Sequence, residues 1–352
     1  MRKYILSRII HFIPLLLGIT FLSFLIIEMA PGDFFSTLQL NPQISQETLQ
    51  RMKERFGFDR SFVLPFITKH FPGLWNSLPQ GFQEAIKWMD SVIGRYLFWL
   101  WRIVTRLDFG ESIAYHVDVL SLIASRAVNT IILSASSMLF TWMLALPLGI
   151  YVAMRPGGIA DKVLSFIAFF GISIPNFFLA FLLLYVAMKT GWLPAGGTVS
   201  PEYSSLDFWG KIWDRILHLI IPVFVLGTSG MASLMRLMRG QILEIKNSEY
   251  VRTARAKGLS EFKVVMKHIL KNALNPFITM AGYTLGALLG GAALVEAILG
   301  LQGLGQLMLQ AVRSQDLYLV LADLVMGTVL LIVGNLLADI ALTVIDPRIK
   351  LD

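Results

Sequence analysis

The chain has no cysteine and little charge. Of its 352 residues, 15% are Asp, Glu, Lys or Arg, against about 25% in soluble domains. The missing cysteine excludes disulfides, thiolate nucleophiles and cysteine-ligated metals. A G-x-x-x-x-G-K-[ST] phosphate loop is also missing, since the glycines nearest to one, Gly157-Gly158 and Gly258, lack its spacing. No Ser/His/Asp set, HExxH run or pair of catalytic carboxylates stands out, so no catalytic residue and no metal site is assigned. The chain is rich instead in apolar residues, 55% hydrophobic with a mean hydropathy of +0.66. That composition is that of an integral membrane protein. A net charge of +7 is then explained by cytoplasmic loops, which collect Lys and Arg, and no nucleic-acid partner is expected.

A helical span needs about 20 mostly apolar residues, and six segments qualify. They run roughly over Ile9–Met29, Val128–Met154, Val163–Met188, Ile216–Met238, Phe277–Leu299 and Leu319–Ile345. The first follows Arg2, Lys3 and Arg8, but it is too long for a signal h-region and no A-x-A pattern precedes Pro31. It reads as a retained anchor with its N-terminus inside. Six spans return the C-terminus to that side, so both termini are expected to be cytoplasmic. Charge agrees: Arg155 and Lys162 flank the second-to-third turn, and basic residues crowd the fourth-to-fifth loop. The chain is thus expected to be all-α and polytopic. It divides into residues 1–30 (N-terminus and first span), 31–127 (an external subdomain between the first two spans) and 128–352 (a five-helix core).

Within the external segment, Pro42, Pro65, Pro72 and Pro79 impose breaks, and a short helix is expected over Gln46–Arg55. Arg95–Leu107 is aromatic but carries three arginines, which predicts an interfacial helix lying on the membrane. Glu28 and Glu296 fall near outer span ends, where headgroups can hydrate them, and His218 reads as interfacial. Asp323 and Asp339 lie within the sixth span. Asp339, near the cytoplasmic end, reads as an ion-pair partner, and Asp323 is the candidate pathway residue. Gly282, Gly286 and Gly290 recur every four residues in the fifth span, a small-residue ridge that lets another helix approach closely. Pro147, Pro175 and Pro222 inside spans favour kinks.

The most informative stretch is the loop over residues 240–276. Ser248 is a good N-cap, Glu249 suits the first turn and Gly258 suits a left-handed C-terminal position. A short helix is expected over Tyr250–Lys257. Arg252 and Arg255 share one face, and Val251 and Ala254 share another, small enough to enter a groove. Ser260 then caps a second helix in which Phe262, Val265, Met266, Ile269, Leu270 and Ala273 recur with helical period, opposite a stripe of Lys263, Lys267 and Lys271. An ordinary positive-inside loop on anionic headgroups would carry the same charge. Two capped helices with a glycine hinge favour a protein partner.

YVRTARAKG at Tyr250–Gly258, followed by the Lys/His-rich helix and Pro276, resembles the cytoplasmic loop of membrane subunits of binding-protein-dependent ABC importers. The oligopeptide/dipeptide/nickel permease branch, first-subunit type, is the nearest. Further stretches match it: APGD at Ala30–Asp33, DFGES at Asp108–Ser112, GISIPNFF at Gly171–Phe178, GWLPAGG at Gly191–Gly197, VE…GLG at Val295–Gly305 and DPRI at Asp346–Ile349. Arg252-Thr253-Ala254 stands where the general importer pattern has Glu-Ala-Ala, and residues 61–94 look like an insertion.

The resemblance implies a type I ABC importer transmembrane domain. Its coupling helix would comprise Tyr250, Val251, Arg252, Thr253, Ala254, Arg255, Ala256, Lys257 and Gly258, docking in a groove of a cytoplasmic ATPase subunit. It also implies a second related permease subunit, two ATP-binding subunits and an external solute-binding protein. This chain would bind no cofactor, with ATP and Mg on the partner subunits and membrane lipid around it. Peptides are the expected solute, with oligosaccharides or nickel as alternatives in the branch. A reading from another class is a secondary transporter relaying protons through Asp323 or Asp339, but no internal repeat supports it. A membrane-bound enzyme lacks any converging nucleophile or metal site.

Overall fold

In a computed structural model of the chain, the described residues are 2–29, 47, 50, 64–278, 280 and 293–345. Among these, regular structure is helical, and the one pairing of extended residues is an isolated antiparallel bridge between Glu111 and Asp118. The long helices are α1 (Arg2–Met29), α4 (Gln80–Arg106), α5 (Val119–Met154), α8 (Phe208–Ile245) and α14 (Leu317–Ile345). Between α1 and α4 lie the short helices α2 (Leu64–His70) and α3 (Pro72–Ser77). Helices α6 (Ile159–Ser173), α7 (Asn176–Thr190), α9 (Glu249–Ala256), α10 (Glu261–Lys263), α11 (Leu270–Ala273), α12 (Ala293–Leu299) and α13 (Leu304–Arg313) complete the order. Gly282, Gly286 and Gly290, DPRI and nearly all of Gln46–Arg55 lie outside the described residues.

Four helical stretches are long and apolar enough to cross a membrane alone: Ile10–Met29, Val119–Met154, Phe208–Ile245 and Leu317–Ile340. The shortest, at 20 residues, reaches about 30 Å at 1.5 Å per residue. Two bent pairs raise the number to six if each is one span: α6 with α7, bent by 93°, and α12 with α13, bent by 92°. The helix expected over the third span is therefore interrupted at Pro175 rather than kinked. Pro175 has no N–H to donate and its ring disfavours helical backbone at the residue before it. Ile174 accordingly takes φ −89°, ψ 120°, and α7 restarts at Asn176. Pro147 and Pro222, by contrast, stay inside α5 and α8. The second bend follows Gly300 at φ +65°. The Leu301 N–H donates to Glu296 O (2.8 Å) and the Gly300 N–H to Ala297 O (3.4 Å), the paired closure that ends a helix at a left-handed glycine.

The chain resolves into two compact units. One comprises Met1–Ile9, Arg126–Leu307 and Gly327–Asp352, the other Ile10–Ser125 and Met308–Met326. The described part of 31–127 thus shares its unit with most of the first span and with Met308–Met326. Of the expected insertion, residues 64–94 form α2, α3 and the first half of α4.

In the first unit, α7, α8 and α12 meet through Ala180, Ala187, Ile221, Val225, Leu226, Val295 and Leu299. The two alanines on α7 let its backbone approach closely, which is how apolar helices associate without a hydrophobic driving force. A second cluster joins the 240–276 loop to Ala153, Met238 and Ile242.

In the second unit, Arg95, Tyr96 and Trp99 on α4 are buried while Trp101 and Val104 are exposed, and the pairing of Glu28 corrects its hydrated reading. The Arg95 Nη2 donates to Glu28 Oε1 at 2.6 Å, with side chains 6% and 18% exposed. Tyr96 O–H donates to Leu17 O (2.9 Å) and lies 2.8 Å from Thr20 Oγ1. Trp99 is buried and its indole N–H donates to Phe109 O. An arginine in an apolar setting needs a partner, and Glu28 supplies it. Asp316, with no exposed surface, accepts from Ser112 Oγ (2.6 Å) and Ala114 N (3.0 Å).

Removing one member of a buried ion pair leaves the other uncompensated, a loss of about 3–5 kcal/mol. Arg95→Met is expected to lower the thermal midpoint of the purified protein strongly, and Glu28→Leu together with Arg95→Met to recover most of it. A midpoint unmoved by Arg95→Met would show that the pair contributes nothing.

Candidate functional site

An eight-residue helix is marginal in water, so α9 must be held by its surroundings. Ser248 takes the N-cap position, but its hydroxyl makes no cap bond. The Val251 and Arg252 N–H groups donate instead to Ser248 O, both at 3.1 Å. At the other end Gly258 takes φ +75° and donates to Arg255 O at 2.9 Å, which is where a left-handed glycine was expected. The helix runs over Glu249–Ala256, one residue earlier than predicted.

Its apolar face points inward. Val251 is 0% and Ala254 5% exposed, packed with Ala153, Met238, Ile242 and Ile269 of the same chain. This corrects the expectation that these two residues are offered to a partner's groove, because the groove belongs to this chain. The outward side carries Tyr250, Arg252, Thr253, Arg255, Ala256 and Lys257. Arg252 donates to Glu249 at 3.0 Å in a largely exposed pair, which contributes little. Arg255 is the clamp. Its Nε and Nη2 donate to the Glu261 carboxylate at 3.1 and 2.8 Å, and Nη1 to Lys246 O at 3.2 Å. Asn272 Nδ2 donates to Tyr250 Oη at 2.9 Å. One side chain thereby ties α8, α9 and the next helix together.

That next helix departs from the predicted register. Ser260 sits at the N-cap position without a side-chain cap bond. Glu261–Lys263 is α-helical, Val264–Ile269 is a π-helix and Leu270–Ala273 is α-helical again. A π-turn takes an extra residue and so rotates what precedes it. Val264, Val265, Ile269 and Ala273 are buried, while Phe262 (75% exposed) and Met266 (47%) face outward, against the 3.6-residue reading. Sequence periodicity missed these two exposed apolar residues because it assumed an unbroken α-helix. Lys263, Lys267 and Lys271 are exposed as expected. Asp323 and Asp339 are half-buried on α14.

Two motifs of the sequence meet at a second place. The Gly197 N–H donates to Leu299 O (2.7 Å) and the Gln302 N–H to Thr198 Oγ1 (2.8 Å). A Cβ on Gly196, at φ +89°, would stand 2.6 Å from Leu299 O. Glu296 is completely buried, which corrects its headgroup-hydrated reading. Its Oε2 accepts from the Gln306 N–H at 2.8 Å, so the carboxylate covers the N-terminal end of α13, where a negative charge is favoured. A Cβ on Gly303 would lie 2.5 Å from the Glu296 carboxylate. The VE…GLG and GWLPAGG patterns are therefore two halves of one corner, and the glycines leave room for the carboxylate and for Leu299 O. His218, read as interfacial, is also enclosed, its side chain 6% exposed and its Nδ1 2.8 Å from Asp214 O. Of all these, the alternation of glycines just before α13 was the available signal for a buried group.

The family described as binding-protein-dependent transport system inner membrane component matches residues 145–351. The chain belongs to this family. It is 38% identical over 354 residues to the oligopeptide transport system permease protein AppB of Bacillus subtilis, covering 99% of this chain and all of that protein. It is 30% identical over 364 residues to the dipeptide transport system permease protein DppB of Alkalihalophilus pseudofirmus, covering 99% of this chain and all of the relative. Among solved structures, an inward-facing form of the MetNI methionine ABC transporter is similar in fold, with a TM-score of 0.50 and 21% identity over 64% of this chain and 97% of that one. The fold is that of a type I ABC importer transmembrane domain, and the chain is a multi-pass membrane subunit of a transporter.

Two outcomes follow. The hydrogen bonds from Arg255 hold the Glu261 carboxyl below the ordinary glutamate range. A group whose folded value is lowered stabilises above its unfolded value and loses that contribution as pH falls through the folded value. Amide protection over 257–262, taken relative to the intrinsic exchange rate at each pH, is expected to be high at neutral pH and to fall as pH drops through and below the usual glutamate range. Glu261→Gln should remove that pH dependence, and equal protection at both pH values in the unaltered protein would disprove the clamp. At the other corner, Gly303→Ala forces overpacking of about 1–3 kcal/mol, expected as a lower thermal midpoint, whereas Gly240→Ala, where the added Cβ meets nothing within 4 Å, should leave the midpoint unchanged.

Proposed function

We propose that the chain is the membrane permease subunit of an ATP-driven importer for oligopeptides or dipeptides, and that Tyr250–Gly258 is the helix through which ATP hydrolysis is coupled to transport. The observation that carries this reading is α9 itself. Its small apolar face is sunk in this chain's own core and its cationic face is turned outward, so a push on the outer face is delivered to α8 and to Phe277 rather than absorbed by bending. Peptide as the solute rests on the relatives' names together with their match along nearly the whole chain.

In this reading hydrolysis takes place on separate cytoplasmic subunits that hold ATP and Mg, for which the lack of a phosphate loop in this sequence speaks. Two such subunits, a second related permease and an external solute-binding protein complete the assembly. Both termini and the 240–276 loop then face the cytoplasm, as the basic residues favour. Phe262 and Met266 extend the outward face of α9 with apolar surface, and the lysine stripe surrounds it with positive charge. Asp323 remains the candidate for the pathway.

Replacing Arg252, Arg255 and Gly258 together is expected to reduce solute-stimulated ATPase activity of the reconstituted complex about tenfold or more. Full stimulated activity in that variant would refute the coupling role. Because the chain has no cysteine, Lys257→Cys provides a unique label. A membrane-impermeant maleimide should reach it only from the cytoplasmic side, and labelling from outside would invert the topology.

A further inference from the structure

The corner that holds Glu296 also lines a small, partly open cavity. Its polar lining comes from Asn129 on α5, Thr198 in the turn after α7, Arg215 and His218 on α8, and Glu296 on α12. Leu133, Leu219 and Leu301 form apolar wall. Two buried polar atoms on residues that line this space have no hydrogen-bond partner among the described residues, Glu296 Oε1 and Arg215 Nε. One accepts only and the other donates only. Glu296 is 0% exposed; its Oε2 accepts from the Gln306 N–H, and the Gly305 N–H and the Thr130 hydroxyl also serve the carboxylate. A buried carboxylate oxygen left bare is among the most unfavourable arrangements a fold can hold, and so is a bare guanidinium N–H. That both occur at one cavity, with opposite hydrogen-bonding roles, points to a shared occupant.

Size decides what it is. The cavity offers ≈ 30 Å³ to the centre of a water-sized sphere. About 10–15 Å³ by that measure holds one water, so there is room for one or two waters and none for a peptide or an amino acid. The neighbouring polar groups each keep one bond elsewhere: Asn129 Nδ2 donates to Gln302 O (2.8 Å), and Thr198 Oγ1 accepts from Gln302 N (2.8 Å). They remain able to add partners to a water, which is stable in a protein interior with about three.

We infer that one or two ordered water molecules occupy this cavity and bridge Glu296 Oε1 to Arg215 Nε. The bridge joins α8 to α12 and, through Asn129 and Thr198, ties both to α5 and to the turn after α7. It completes the hydrogen bonding of a carboxylate whose other oxygen covers α13. The inference does not depend on which solute is carried or on how ATPase subunits dock.

The test is a map of the assembled complex in lipid at a resolution that shows waters. Density within hydrogen-bonding distance of both Glu296 Oε1 and Arg215 Nε is the expected result. An empty cavity, or direct contact between the two side chains, overturns the inference. A second measurement does not need that resolution. Glu296→Gln and Arg215→Met are each expected to lower the thermal midpoint of the complex by about 2 °C or more, and the double variant by clearly less than the sum. Additive shifts, or none, overturn it. If Arg215→Met fails to assemble, Leu219→Phe, which fills the cavity and expels the water while keeping both polar groups, takes its place. A lowered midpoint is then expected, and an unchanged or raised one counts against the water.

Discussion

The stiffness of α9 is borrowed. Eight residues with two positive charges would not hold a helix in water, and Ser248 supplies no side-chain cap. What keeps the element straight is the entry of Val251 and Ala254 into a core built by α5, α8 and the π-helical segment, together with the three hydrogen bonds of Arg255. Remove that burial and the cationic patch becomes a floppy loop that binds anything anionic. With it, the patch becomes a fixed surface at a fixed angle to a transmembrane helix 38 residues long.

The membrane portion meets a different demand. In lipid there is no solvent to complete a polar group, so each one must find its partner inside the protein. Glu28 has Arg95, Asp316 has Ser112 and the Ala114 N–H, and Glu296 has the first turn of α13. In each case an acid is neutralised by a cation, a hydroxyl or a helix end rather than by headgroups. The glycines of the GWLPAGG and VE…GLG stretches belong to the same solution, since a carboxylate and a backbone carbonyl occupy the space where their side chains would be.

Much of this was legible in the residues. Apolar runs of about 20 residues revealed the spans because hydropathy along the chain is a one-dimensional signal. Gly258 could be assigned its left-handed role because only that conformation closes a helix there so readily. Depth and direction were not legible. Glu28, Glu296 and His218 stand near span ends in sequence, and nothing in the local pattern says that the chain folds over them. Val251 and Ala254 formed an apolar face, yet periodicity cannot tell whose core receives it. Pro175 signalled a disturbance, but whether a proline kinks or breaks a helix depends on the packing around it, as Pro147 and Pro222 show. Phe262 and Met266 were misplaced because counting in steps of 3.6 fails at a π-turn.

The π-helical run at Val264–Ile269 has a consequence for how this loop tolerates change. A π-turn contains one residue more than an α-helix needs for the same advance. The segment therefore carries a spare residue, and losing one there would heal the hydrogen-bond ladder rather than tear it. Healing would also swing everything upstream by about 100°, withdrawing Phe262 from the surface and moving Glu261 out of reach of Arg255. Chain length at this point thus encodes orientation: a single-residue deletion, harmless to the helix, would aim the whole outward cationic surface elsewhere.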